Sequence, residues 1–235
     1  MPSFSKRSYQ AELLDRDDIP FEDIKRNMQE LDTINTWLGG HAITIAGVRK
    51  LLNKKDRQVT ICEVGCGGGN NLRAIDKWLK KKNISASYTG IDINPHCIAY
   101  AKESAGLDNA EWITTDYKAV NFDRKPDIIF SSLFCHHLKE DELVGMLRWM
   151  HNNSGTGFFI NDLQRHPLAY HSIKLITRLF SRSYLVKNDA PLSVLRGFSK
   201  KELERLMQQA GQVSYSIEWK WAFRWLLTCH MMLPS

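Results

Sequence analysis

The stretch CEVGCGGGNNL, residues 62–72, constrains the fold more than any other part of the chain. Four glycines fall within five positions, 65 to 69, directly after the apolar run VTICEV and directly before a helical pattern. A strand that passes through glycines into a helix presents backbone N–H groups where a polar ligand can approach without meeting a Cβ. Spacing then narrows the ligand. A phosphate loop of the G-x-x-x-x-G-K-[ST] type is excluded, because no such lysine pair follows. The dinucleotide pattern G-x-G-x-x-G also fails, since its third glycine, counted from Gly65 and Gly67, falls on Asn70. What stands is a G-x-G-x-G with Glu63 two residues before it.

Around this loop the apolar rhythm alternates between short runs and amphipathic segments. Strands are expected at 59–64, 87–92, 110–115, 127–132 and 157–162, with helices at about 70–82, 95–105, 139–151 and 200–210. Such alternation predicts an α/β chain with a parallel sheet covered by helices on both faces. A helical preface occupies 20–53, broken at Gly39-Gly40, and an extra, broadly apolar helix is expected over 166–185. The runs QVSYSIEW and WAFRWLLTC read as a closing antiparallel hairpin. The expected whole is a single Rossmann-like, doubly wound sheet of about seven strands: a preface or lid to residue 57, a cofactor-binding core at 58–165, a helical insert or substrate cover at 166–198, and a last helix with hairpin at 199–235.

The loop VTICEVGCGGGNNL resembles motif I of the class I S-adenosylmethionine-dependent methyltransferases, carried here by Glu63, Gly65, Gly67 and Gly69, with Cys66 and Asn71 beside them. The resemblance continues at the ends of the next strands. YTGIDINP supplies Asp92 for both ribose hydroxyls and Ile93 for the adenine face; a carboxylate accepts two O–H bonds at once. WITTDY supplies Asp116 near the adenine amino group, followed by Tyr117. PDIIFSSLFCHHL brings Ser132 past the cofactor. The resemblance covers residues 58–165 and the closing hairpin. It implies S-adenosyl-L-methionine as cofactor and S-adenosyl-L-homocysteine as product.

Methyl transfer is an in-line displacement, so alignment of the acceptor carries much of the rate. If the acceptor must lose a proton, His136 and His137 are the candidate bases, near-neutral in intrinsic pKa and placed after strand four. Cys135 carries no sign of an activated thiolate. Beyond strand five, Asn161, Arg165 and His166 are candidate substrate residues, with Arg165 read either as a ligand for a carboxylate or phenolate, or as a partner of Asp162. Arg196 has no local structural explanation and joins them. In INTWLGGHAIT, His41 is expected to border the pocket while Trp37 packs in the core. Ser199 and Glu202 read as a capping box. No carboxylate set of metal-binding spacing is complete, so no metal is expected.

Net charge is +6 with 32 basic and 26 acidic residues. The densest run, KWLKKKN, sits where a helix would end, which cations favour in any case. Nucleic acid is therefore not the expected partner, and no appended RNA-binding module fits in 235 residues. Five cysteines without a C-x-x-C pair suggest reduced thiols, and the absence of a long apolar run or signal-peptide core points to the cytoplasm. The expected function is methylation of a small aromatic, polyketide-like or quinone-like hydroxyl. The alternatives are an RNA or protein methyltransferase and a non-catalytic cofactor-binding regulator. Oligomeric state is left open.

Overall fold

The computed structural model describes residues 2–16, 18–53 and 57–231. Their strands, β1 (Gln58–Val64), β2 (Ser85–Asp92), β3 (Ala110–Thr114), β4 (Ile128–Ser132), β5 (Gly157–Leu163), β6 (Tyr215–Lys220) and β7 (Arg224–His230), form one sheet in the order β3-β2-β1-β4-β5-β7-β6. The first five run parallel, and β7 pairs antiparallel with both β5 and β6. The strand order reverses at β1, whose neighbours are β2 and β4. In open α/β sheets such a reversal leaves a crevice at the carboxyl ends of the strands.

Period-two alternation sends side chains to opposite faces of the strands and produces two cores. On one face Ile61, Phe130 and Phe159 pack with Leu72 and Ile75 from α3 (Asn70–Lys80), and with Val48 from α2 (Gly40–Leu51). The rings of Phe130 and Phe159 stack at 4.8 Å. On the other face Cys62, Ile129 and Phe158 meet Leu143 and Met146 of α5 (Glu140–Asn153) and Leu206 of α8 (Lys200–Gln209). Each such buried aliphatic or aromatic side chain contributes about 1.5–3 kcal/mol of transfer free energy. Of the remaining early helices, α1 (Phe21–Trp37) packs against α2 and α4 (Pro95–Ser104), and α4 packs against β2 and β3.

The insert departs from expectation. It is two helices, α6 (Pro167–Phe180) and α7 (Tyr184–Arg196), because Ser181–Ser183 breaks the run. Glu30 of α1 accepts a bond from Ser181 Oγ and from the amides of Arg182 and Ser183 at 3.0 and 3.1 Å, and Ser183 Oγ caps α7 by accepting from Val186 N. Leu168, Leu175, Leu179 and Phe180 of α6 stay exposed. Trp37 also departs, being 80% exposed at the end of α1 instead of packed in the core.

Residues 4–14, which carry no apolar periodicity, form a strap. Arg7 lies 4.3 Å over the Phe198 ring and donates to the carbonyls of Arg196, His136 and Leu138. Ser8 N bonds Leu195 O, and the amides of Leu13 and Leu14 donate to the two oxygens of Asp189 at 2.8 and 2.9 Å. The strap therefore lies across α7 and over the turn that follows β4.

Candidate active site at the sheet reversal

Glu63 ends β1 fully buried, and burial pushes its carboxyl well above the ordinary carboxylate range. Asn71 Nδ2, in the first turn of α3, donates to Glu63 Oε1 at 2.8 Å, while Oε2 has no partner among the described residues. A buried acceptor left unpaired costs about 1–3 kcal/mol, so this oxygen calls for a donor. Two loop positions explain the glycines. Gly65 has φ +72°, and a Cβ there would fall 2.5 Å from the ring of Phe134. Gly67 has φ +50°, and a Cβ there would meet no atom within 4 Å. The space above Gly67 is thus open, and its N–H donates to Asp92 Oδ2 at 2.9 Å.

Asp92 ends β2 across from this loop. Burial raises its carboxyl, partly offset by the amides of Asn94 and Gly67. A carboxylate offers about four acceptor positions, so capacity remains beyond the amides of Asn94, Gly67 and Ile93. Ile93 beside it is 71% exposed, an apolar face available to an adenine. Asp116 is also exposed and accepts from Lys118 N at 3.0 Å. Tyr117 turns the other way: its buried ring meets Trp149 edge-on at 5.1 Å, which places it in the core and not on a cofactor face. Cys66 is buried and its thiol is pushed up by desolvation.

The preface joins the same loop through a polar chain. His41 Nδ1 is 2.9 Å from Asn71 Oδ1 and its Nε2 is 2.9 Å from Asp32 Oδ1, while Asp32 also reaches Arg73 at 3.4 Å. His41 therefore supports the residue that holds Glu63. Asp32 was not foreseen, since a lone aspartate in a helical run gives no sequence signal. Asn161 is buried in β5 and donates toward Gly40 O, Thr44 Oγ1 and, at 3.4 Å, Ser132 Oγ, which ties α2 to the ends of β4 and β5.

After β4 a short 3-10 turn carries Cys135, His136 and His137. His136 is 3% exposed, and its Nδ1 lies 2.7 Å from Asp162 Oδ1; its amide donates to Asp162 Oδ2 at 3.1 Å. Burial opposes charge on Asp162, but the facing His136 outweighs it and holds the carboxyl below its usual range. His137 keeps about 25% of its side chain open. Glu12 of the strap approaches both imidazoles, its oxygens 3.9 Å from His136 Nε2 and 3.8 Å from His137 Nε2. Among the described residues these three form a group of metal-capable atoms within 4.8 Å of one another. Glu12 was missed because its nearest partner here in sequence, His136, is more than a hundred residues away.

Three other candidates are accounted for inside the fold. Arg165 does not pair with Asp162. It makes a double bond to Glu202, at 2.7 and 2.9 Å, and donates to the carbonyls of Phe4 and Gly197. Arg196 donates to the carbonyls of His136, His137 and Gln10 and lies 3.8 Å from Glu12. His166 caps α6, accepting from Leu168 N at 3.2 Å, and stacks on Phe223 at 5.0 Å. The capping box of Ser199 and Glu202 is present, so Glu202 serves both the cap and Arg165.

Comparisons with known proteins agree with the fold. Residues 61–157 match the family described as a methyltransferase domain. A carboxy-S-adenosyl-L-methionine synthase from Staphylococcus epidermidis is 23% identical over 177 residues, covering 71% of this chain and 76% of that protein. Among solved structures, the plantazolicin methyltransferase BpumL in complex with SAH superposes with a TM-score of 0.68 at 18% identity over 91% of each chain. A SAM-dependent methyltransferase from Aquifex aeolicus gives 0.62 at 19% identity, over 92% of this chain and all of that one. The magnesium protoporphyrin IX methyltransferase of Synechocystis gives 0.53 at 14%, over 96% and 90%.

Proposed function

We propose, from the premise that the chain belongs to the class I S-adenosylmethionine-dependent methyltransferases, that it methylates a hydroxyl of a small aromatic, polyketide-like or quinone-like molecule. The observation that carries the cofactor assignment is the convergence at the sheet reversal of three features: the unpaired Glu63 oxygen, the open face over Gly67, and Asp92. S-adenosylmethionine supplies an activated methyl group on a sulfonium. Glu63 and the bare loop would take its amino acid portion, Asp92 its ribose hydroxyls, and Ile93 with Asp116 its adenine. Asn71, positioned by His41, keeps Glu63 aimed.

The acceptor assignment rests on the position of the post-β4 turn. His136 and His137 sit at the carboxyl end of β4, beside Phe134, whose ring covers Gly65. A hydroxyl nucleophile gains from a base within hydrogen-bond reach. Two of the structural neighbours are described as methyltransferases of plantazolicin and of magnesium protoporphyrin IX, which favours a discrete acceptor molecule here.

The test is incubation of the purified chain with S-adenosylmethionine and a panel of phenols, hydroxyquinones and polyketides, read by mass spectrometry for a gain of one methyl group and for S-adenosylhomocysteine. Methylation of a phenolic oxygen supports the reading. Methylation confined to RNA or protein, or stoichiometric cofactor binding with no product across the panel, overturns it.

A further inference from the structure

The two histidines are not equivalent, and the strap explains the difference. His136 is buried, its Nδ1 is committed to Asp162 at 2.7 Å, and its carbonyl is clasped by both Arg7 and Arg196. An ionised carboxylate only accepts, so the His136 Nδ1 carries the hydrogen and its Nε2 faces Glu12. His137 is the partly open ring, and Glu12 Oε2 stands 3.8 Å from its Nε2. Glu12 itself is 4% exposed and is fixed from several sides: Ser193 Oγ donates to Oε1 at 2.7 Å, and the neighbouring amides of Leu13 and Leu14 are anchored on Asp189.

We propose that Glu12 is a positioning residue for catalysis, delivered by the N-terminal strap, which pairs with His137 so that His137 and Glu12 together take up the proton released by the acceptor hydroxyl. The proposal rests on the methyltransferase reading for the source of that proton. The acceptor O–H bond breaks, the proton passes to the His137 ring, and the bonding pair remains on oxygen as the nucleophile. The buried carboxylate stabilises the resulting imidazolium, and the proton later leaves to water. His136, held between Asp162 and the two guanidiniums, serves as the rigid wall that fixes the orientation of the adjoining His137 ring, 4.3 Å away.

The simplest competing role is a plain structural anchor, with Glu12 paired to Arg196. An anchor explains the 3.8 Å approach to Arg196 but gives no reason for the same carboxylate to approach both imidazoles as closely. A divalent cation is the other competitor. The positive charges of Arg196, 3.8 Å from Glu12, and of Arg7, which bonds the carbonyls of the same turn, repel a doubly charged ion more strongly than the single charge of an imidazolium. The charged groups around the pair are Arg7 from the strap, Asp189 and Arg196 from α7, Asp162 from β5 and Asp92 from β2. None of them is altered in the test.

The experiment follows the His137 ring by side-chain 15N NMR through a pH titration of the full chain, in wild type, Glu12→Gln and Glu12→Asp. Calorimetric binding of S-adenosylhomocysteine to each variant checks that the cofactor site is intact. The expected result is a midpoint for His137 lower in Glu12→Gln by about one pH unit, a tenfold loss of proton affinity, with partial recovery in Glu12→Asp. Coupling is mutual, so the Glu12 13Cδ resonance must shift in His137→Asn, and this arm stands even if Glu12→Gln does not fold. Unchanged midpoints in both arms would overturn the proposal. So would stoichiometric Zn²⁺ binding lost on Glu12→Gln, which would make the cluster a metal site. Failure of the wild type to bind S-adenosylhomocysteine would instead remove the methyltransferase reading, and leaves the His137 and Glu12 coupling to be judged by the titration alone.

Discussion

Arg165 and Glu202 form a largely buried, doubly bonded pair that also pins Phe4 and Gly197. Removing one member of such a pair strands the other, so Arg165→Ala should lower unfolding free energy by about 3 kcal/mol in urea titrations; a loss under about 1 kcal/mol would mean the pair is incidental. Glu12 carries the opposite sign. Burial raises its carboxyl above the ordinary value near 4.5, so the unfolded chain sheds this proton first as pH rises. Stability then falls from about the ordinary carboxylate pKa upward. Glu12→Gln should therefore be more stable than wild type at pH 7, with the gain vanishing below about pH 4, even as it loses the proton role; a destabilised variant at pH 7 would contradict the desolvation account. At this scale legibility was uneven. Glu63 and the glycines declare themselves because they are sequence neighbours at one strand end, while Asp92 is reached through the family resemblance at the end of the next strand. Arg165, Arg196 and Glu12 could not be placed, since their partners lie 37, 60 and 124 or more residues away and a guanidinium facing a backbone carbonyl leaves no pattern.

The glycine loop borders the ends of β1 and β2, and the strap borders the turn after β4. Gly67 is open to the crevice and has φ +50°, so Gly67→Ala adds a methyl group where ligand backbone would lie. It should cost about 1 kcal/mol of stability through the left-handed backbone while weakening cofactor binding at least tenfold; calorimetry showing unchanged affinity would mean that the ligand does not pass over this residue. The strap hangs on Arg7. Arg7→Ala should raise hydrogen exchange at the amides of Ser8, Leu13 and Leu14 roughly tenfold or more, for a loss of about 1.4 kcal/mol or more in local opening, while β1 and β4 amides stay protected. Helices and strands of the core were readable because their apolar periods are long and regular. The strap was not, because it has no periodicity and is held by bonds to α7. The single insert helix read over 166–185 became two because Ser181 and Ser183, unremarkable in sequence, are claimed by Glu30 from α1.

At the scale of the whole molecule, the reversal at β1 brings together residues that five separate strand ends contribute: Glu63, Asp92, Asp116, Ser132 and Asn161. That gathering follows from the order of the strands; the alternation of short apolar runs predicts only the parallel sheet, and the resemblance places these residues at its strand ends. The N-terminal elements lie nearby, α1 and α2 through Asp32 and His41 on Asn71, the strap through Glu12 beside His137. Among the described residues no helix is long and apolar enough to cross a membrane. The central claim is that this gathered site holds S-adenosylmethionine through Glu63 and Asp92. Titration calorimetry of the purified chain and of Asp92→Ala with S-adenosylmethionine, S-adenosylhomocysteine and NAD tests it most directly. One-to-one binding of both sulfur nucleotides is expected, with no heat from NAD and at least tenfold weaker binding in Asp92→Ala, for loss of a charged hydrogen-bond acceptor worth about 1.5–3 kcal/mol. Binding of NAD with neither sulfur nucleotide, or equal affinity in Asp92→Ala, would contradict it.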